Sequence, residues 1–250
     1  MSQAFGLPPA PPRPPLSPPA FPPVRPPPAP ELPPPPPPGP QKPPPTSPSP
    51  APPWTDPCLL ITTSPRDAIK DGCMHLAGAD LRFAELQQLS LRNADLNGAN
   101  LNFAHLDSAV LDGANLRGAE LGFAVLQGAH MANVDLSSAK LGYTNLEGAH
   151  LRSALFVGAD LSDANAVDAD LTDADFTEAS LMHVDFSRAK LVRAKMTGAT
   201  LTGALFSGAQ CEGTDFTGAV DVANAIDIGS VVGTPMGLPF IAATLNKGIG

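Results

Sequence analysis

Large side chains are scarce in this chain: aromatic residues make up 5% of 250 positions, with one Trp and one Tyr, and charged residues only 16%. A conventional globular core draws on more bulk than that, so a core of the usual mixed kind is excluded. Cysteine is nearly absent as well. Cys58, Cys73 and Cys211 are an odd number and too few for a disulfide framework, which points to a reduced, cytoplasmic setting. The opening residues MSQAFGLPPAPPRPP lack the basic start and apolar run of a secretory leader. The least polar stretch, Ile228 to Leu245, contains Pro235, Pro239 and three glycines, so it is a poor transmembrane helix and no membrane association is expected. A phosphate-cradling Gly-rich loop with its Lys, a GxSxG elbow and an HExxH pair are all missing. We therefore expect no enzyme and no cofactor. With a net charge of −9, direct nucleic-acid binding is not expected either, because it requires Lys and Arg to neutralise phosphates.

Proline, by contrast, is abundant and uneven. Of 32 prolines, 29 precede Cys58. Such a segment has few amide donors and a fixed φ, so it builds neither helices nor sheet ladders. Residues 1–57 are expected to be a disordered tail with polyproline II character. It acts as a spacer or as a ligand: Pro8-Pro9-Ala10-Pro11-Pro12-Arg13 has the spacing read by SH3 domains, and Leu32 followed by Pro33 to Pro36 resembles an EVH1 ligand.

From Met74 onward the sequence falls into fives without an insertion: AGADL, RFAEL, QQLSL, RNADL, NGANL. Leucine or a substitute stands at 29 consecutive fifth positions from Leu76 to Phe216: 20 Leu, five Phe, Met131, Met196, Ala166 and Cys211. Two positions earlier Ala occurs in 23 of the 29. A period of five scatters residues around a helix and alternates them across a flat strand, so neither is continuous here. Ala and Leu two apart share one face of a short extended piece, after which the chain must turn. Gly recurs two places after the leucine, where a tolerant turn residue is needed.

How many turns close one coil is legible from a second spacing. Phe83, Phe103, Phe123 and Tyr143 are the aromatics at the outward position, each 20 residues from the next. Asp168, Asp170, Asp173 and Asp175 are followed 20 residues later by Arg188, Lys190, Arg193 and Lys195. Opposite charges in register predict four repeats per coil, with neighbouring coils about 4.8 Å apart.

These repeats resemble those of pentapeptide-repeat proteins, with their A(D/N)LXX pattern. The resemblance implies an all-β fold, a right-handed quadrilateral β-helix of about seven coils. It also implies a core of stacked Leu and Phe with Ala beside them, thinned at Ala166. Some members of that family imitate duplex DNA with an acidic rod and inhibit DNA gyrase. Here the repeats carry 18 acidic and nine basic residues, about half the charge density of B-DNA, where roughly 35 Å holds about 20 negative charges. The first expectation is therefore a non-enzymatic, rod-shaped scaffold for protein–protein binding, and the alternative a DNA-mimicking modulator of gyrase.

Both ends of such a coil expose unpaired backbone and need covers. Ser64-Pro65-Arg66-Asp67 reads as a capping box opening a short helix that Gly72 ends. The expected organisation is a tail at 1–57, an N-terminal cap at 58–73, the repeats at 74–219 and an apolar C-terminal cap or homodimer segment at 220–250. The dimer role comes from relatives whose subunits meet at the C-terminal end. His130, His150 and Asp170 lie in one outward column, yet a straight column suits tetrahedral metal geometry poorly, so they read as solvated surface. Cys211 stands at a core position and reads as packing. The candidate interaction surface is the aromatic column Phe83, Phe103, Phe123 and Tyr143.

Overall fold

The structure, a computed structural model, describes residues 64–225, 227 and 232–237, all within the second of two units, Pro52–Gly250. The proline-rich segment with its two ligand-like patterns, Cys58, and most of the apolar C-terminal segment lie outside the described residues.

Each five-residue repeat contributes one parallel bridge and one turn. Bridges join residues 20 apart, from His75 with Asp95 to Thr200 with Val220, so four repeats close a coil. Backbone accounting explains the pattern. In the repeat ending at Leu96, Asp95 donates its N–H back to Met74 O, Leu96 donates forward to Asn115 O, Gly98 to Arg117 O, and Ala99 closes the turn onto Leu96 O, all at 2.8–3.0 Å. The N–H of the residue after the leucine is left over. The side chain two places before it takes that donor: Asn97 N–H donates to Asp95 Oδ1 at 3.2 Å, Ser137 N–H to Asp135 Oδ1 at 2.9 Å, and Thr217 N–H to Asp215 Oδ1 at 2.9 Å. A short acceptor side chain is needed there, which is why Asp and Asn recur before the leucine. Because the extended part of each repeat is so short, the coils hold single bridges where an all-β fold would hold runs of strand.

The residue two after each leucine has positive φ, near +60°, along the whole repeat, whether it is Gly98, Phe103, Asp168 or Arg188. The i to i+3 hydrogen bond with a left-handed third residue is the geometry of a type II turn. Ala and Leu between the turns point inward and form one continuous buried cluster from Ile69 to Val222. Aromatic scarcity is met by concentrating Phe inside: Phe156 stacks on Phe176 at 4.7 Å, and Phe186 on Phe206 at 5.4 Å. Ala166, expected as a thin spot, sits in the same coil as Phe156 and remains within the cluster. Large and small residues on one coil keep its filling even.

Two core positions are polar. Thr144 and Thr214 replace the inward Ala and are fully buried. Their hydroxyls donate to Leu121 O at 2.8 Å and Leu191 O at 2.6 Å, so neither is left unpaired.

At the N-terminal end, α1 (Pro65–Lys70) is capped by the Ser64 hydroxyl, which accepts from Asp67 N–H, and buries Ala68 and Ile69. Arg66 of α1 donates to Glu85 O at 2.7 Å, tying the helix to the first coil. Cys73 is disulfide-bonded, a single bridge and not the framework that three cysteines are too few to build. At the other end the coil continues past residue 219. Val220 pairs with Thr200, a 3-10 turn covers Val222–Asn224, and after a change of spacing Val232 pairs with Gln210 and Met236 with Asp215. Gly237 makes this possible: a Cβ there would lie 2.5 Å from Thr217 N. Among the described residues no helix is long and apolar enough to cross a membrane.

Candidate functional site: the outward corners of the coil

The turns place four columns of side chains along the outside of the rod, with coils stacked in register. One column carries the aromatics. Phe83, Phe103, Phe123 and Tyr143 stack with ring centroids 5.1, 5.1 and 4.9 Å apart and planes within 8° of parallel. They are 61%, 43%, 51% and 57% exposed. The faces are spent on one another, so ring edges meet the solvent. Below the ladder the Tyr143 hydroxyl donates to Asp163, which holds the phenol above its usual range. Asp163 in turn lies 3.3 Å from His183 Nδ1. The His183 ring extends over Gly203, where a Cβ would come within 2.3 Å of it.

Two further columns change from uncharged residues to charge in the later coils. Arg188 forms a bidentate pair with Asp168 (2.9 and 2.6 Å), and Arg193 with Asp173 (2.7 and 2.7 Å). The guanidinium hydrogen bonds hold both carboxyls below the usual carboxylate range. Lys195 reaches Asp175 at 3.2 Å. The expected pairing of Asp170 with Lys190 takes another form: their backbones bridge, but the carboxylate is engaged by Arg152 at 2.9 Å, from the preceding coil. One Asp170 oxygen is taken by the Thr172 hydroxyl, and the other faces Arg152. Burial acts to raise the Asp170 carboxyl, and the Thr172 and Arg152 hydrogen bonds outweigh it, leaving a net lowering.

Of the remaining candidates, His130 and His150 stack at 4.8 Å on the surface, with Asp170 committed to Arg152. Among the described residues no group of three or more His, Cys, Asp or Glu is arranged to hold a metal ion. Cys211 is fully buried, and burial pushes its thiol up to about 12, far from a nucleophile's range. The Asp or Asn that accepts the leftover N–H, and the two buried threonines, escaped sequence reasoning. Their signal was the D/N of the repeat and its departures from Ala.

The family profile described as Pentapeptide repeats matches eight copies over residues 75–113, 114–152, 154–191 and 185–220. The chain belongs to the pentapeptide repeat family. No curated protein matches it. Among solved structures, a trypsin-treated form of QnrB1, a plasmid-mediated fluoroquinolone resistance protein, aligns at 20% identity over 62% of this chain and 74% of that one, TM-score 0.52. HetL, a pentapeptide repeat protein involved in heterocyst differentiation regulation in the cyanobacterium Nostoc, aligns at 28% identity over 65% and 85%, TM-score 0.30. A pentapeptide repeat protein of the Arabidopsis thaliana thylakoid lumen aligns at 31% identity over 42% and 69%, TM-score 0.24. The first of these shows a shared fold and nothing about a shared partner. Solved pentapeptide repeat proteins form the right-handed quadrilateral β-helix.

Proposed function

We propose that this pentapeptide repeat protein is a non-enzymatic scaffold whose coil binds protein, with the proline-rich segment 1–57 as spacer or tether and residues 220–250 as cap or dimer segment. The observation that carries the reading is the exposed ladder from Phe83 to Tyr143. At roughly half exposure and about 200 Å² per ring, it presents on the order of 400 Å² of aromatic surface, within the range of the largest apolar patch on a soluble monomer, which often serves a function. Nothing in the packing of the coil requires it, since serine and glycine occupy the same turn position elsewhere. A cytoplasmic setting is the reading that the low cysteine count favours, and the single disulfide at Cys73 weighs against it.

The test is affinity capture with three baits: the full chain, the chain lacking residues 1–57, and Phe103→Ser/Phe123→Ser. Partners retained by the first two and lost by the third support a coil-borne surface. Partners lost only on removal of the tail place recognition in the proline-rich segment and overturn the ladder reading. The alternative, a DNA-mimicking gyrase modulator, has less behind it, because Arg188 and Arg193 neutralise the densest acidic columns. Inhibition of gyrase supercoiling by micromolar protein would reverse that order.

A further inference from the structure

We infer that the disulfide at Cys73 joins it to Cys58 and serves as a redox-released latch on α1: reduction frees the helix from the N-terminal end of the coil stack and leaves the later coils folded. The pairing follows by elimination, since the chain has three cysteines, Cys73 is disulfide-bonded and Cys211 is a free, buried thiol. A bridge between residues 58 and 73 encloses the whole of α1 (Pro65–Lys70) in one closed loop.

The helix stands where a preceding coil would stand. Along the repeats each coil donates to carbonyls of the next: Leu86 N–H to His105 O at 2.7 Å and Gln88 N–H to Asp107 O at 3.0 Å. One coil earlier the equivalent carbonyls, Glu85 O and Gln87 O, accept from Arg66 Nη1 at 2.7 and 3.2 Å. One guanidinium thus takes the place of two backbone amides. The cover is partial: Ala79, Ala84 and Leu89 keep 7%, 9% and 8% exposure, whereas Ala99, Ala104 and Ala109, one coil on, keep none. A six-residue helix that buries only Ala68 and Ile69 is marginal by itself, so its ends must be held. Ser64 caps the first turn, and beyond the last the buried Cys73 donates its N–H to Ala68 O at 3.1 Å and is fixed through its sulfur. Closing the loop restricts the released state, so opening the bridge raises the population in which α1 is detached. Because each coil of a stack touches only its neighbours, the loosening stops near the first coil.

A dithiol reductant supplies the two electrons. One of its thiolates attacks a sulfur of the bridge to form a mixed disulfide, and its second thiol then displaces the protein sulfur. Cys58 and Cys73 are left as thiols carrying the two protons, and the reductant becomes its own disulfide. Amide exchange of the full chain, read by mass spectrometry with and without dithiothreitol, tests the latch. The expected result is exchange faster by roughly 10-fold or more at the amides of Ala68, Asp71, Gly72 and Cys73, with protection unchanged from Leu116 onward. Cys58→Ser without reductant should reproduce that pattern and make dithiothreitol silent, and peptide mapping of the oxidised chain should recover residues 58 and 73 as one linked pair. If Cys58→Ser does not fold, the reduced native chain gives the same readout. Cys73 bonded to a second chain, unchanged exchange at α1 once thiol counting shows the bridge open, or equal loosening of every coil would each overturn the proposal.

Discussion

The first four coils and the later ones use one backbone position in opposite ways. At the left-handed turn residue the early coils place Phe83, Phe103, Phe123 and Tyr143, while the later coils place Asp168 and Asp173 beneath Arg188 and Arg193. Both choices put a non-glycine residue where φ is positive, at a cost on the order of 1 kcal/mol each. Both offset it by contact with the coil above or below. Aromatic stacking does so without regard to salt or pH, whereas the ion pairs depend on both. The turn geometry belongs to the repeat, and each column is free to choose what joins its coils.

The change that would break both halves together lies inside. Leu136 is fully buried near the middle of the coil stack. Leu136→Asp would bury an unpaired carboxylate, and loss of several kcal/mol with a large drop in the thermal midpoint is expected. An unchanged melt would show that the leucine column does not hold the two halves in one cluster.

A smaller effect separates the buried threonines from the alanines they replace. Thr214→Val keeps the volume and removes the donor to Leu191 O, and a loss of about 1 kcal/mol is expected in chemical denaturation. Thr144→Val should behave alike in the aromatic half, so a difference between them would measure how evenly the core is built.

The smallest effect sharpens the contrast directly. Asp173→Lys should weaken the charged half modestly, and adding Arg193→Asp should recover much of the loss, in a double-mutant cycle that shrinks with added salt. Asp168 and Asp173 are held below the ordinary carboxyl value of 3.8 in the folded chain. Their contribution is therefore complete above that value and lost as pH falls through the lowered folded one. Acid should release the pairs at Arg188 and Arg193 and leave the aromatic stack intact, while the early-coil carboxyls that are also held low, Glu120 and Asp135, give up their own pairs. Amide exchange followed from neutral pH to pH 3 checks this, and loss of protection at Phe103 and Phe123 as large as that at Arg188 and Arg193 would refute it.

Much of this was legible in the linear chain because a period that never slips turns sequence distance into spatial position. Five residues to a turn, and charges and aromatics recurring at 20, determined the inward Ala and Leu, the four-cornered coil and the stacked ladder. Ser64-Pro65 announced α1 in the same local way. What the tertiary structure decided lies where several neighbours compete for one group. Asp170 has Lys190 in register, yet its two oxygens go to Thr172 and Arg152, because a long arm from the preceding coil reaches the face left open by the threonine hydroxyl. Ala166 reads as a gap in one column, and only closure of the coil brings Phe156 into its layer. The C-terminal coil loses the five-residue spacing, and its continuation depends on Gly237 passing Thr217 more closely than a Cβ allows. A strict repeat can be read by counting, whereas a shared carboxylate, a compensated core position and a close backbone approach exist only once the coils are stacked.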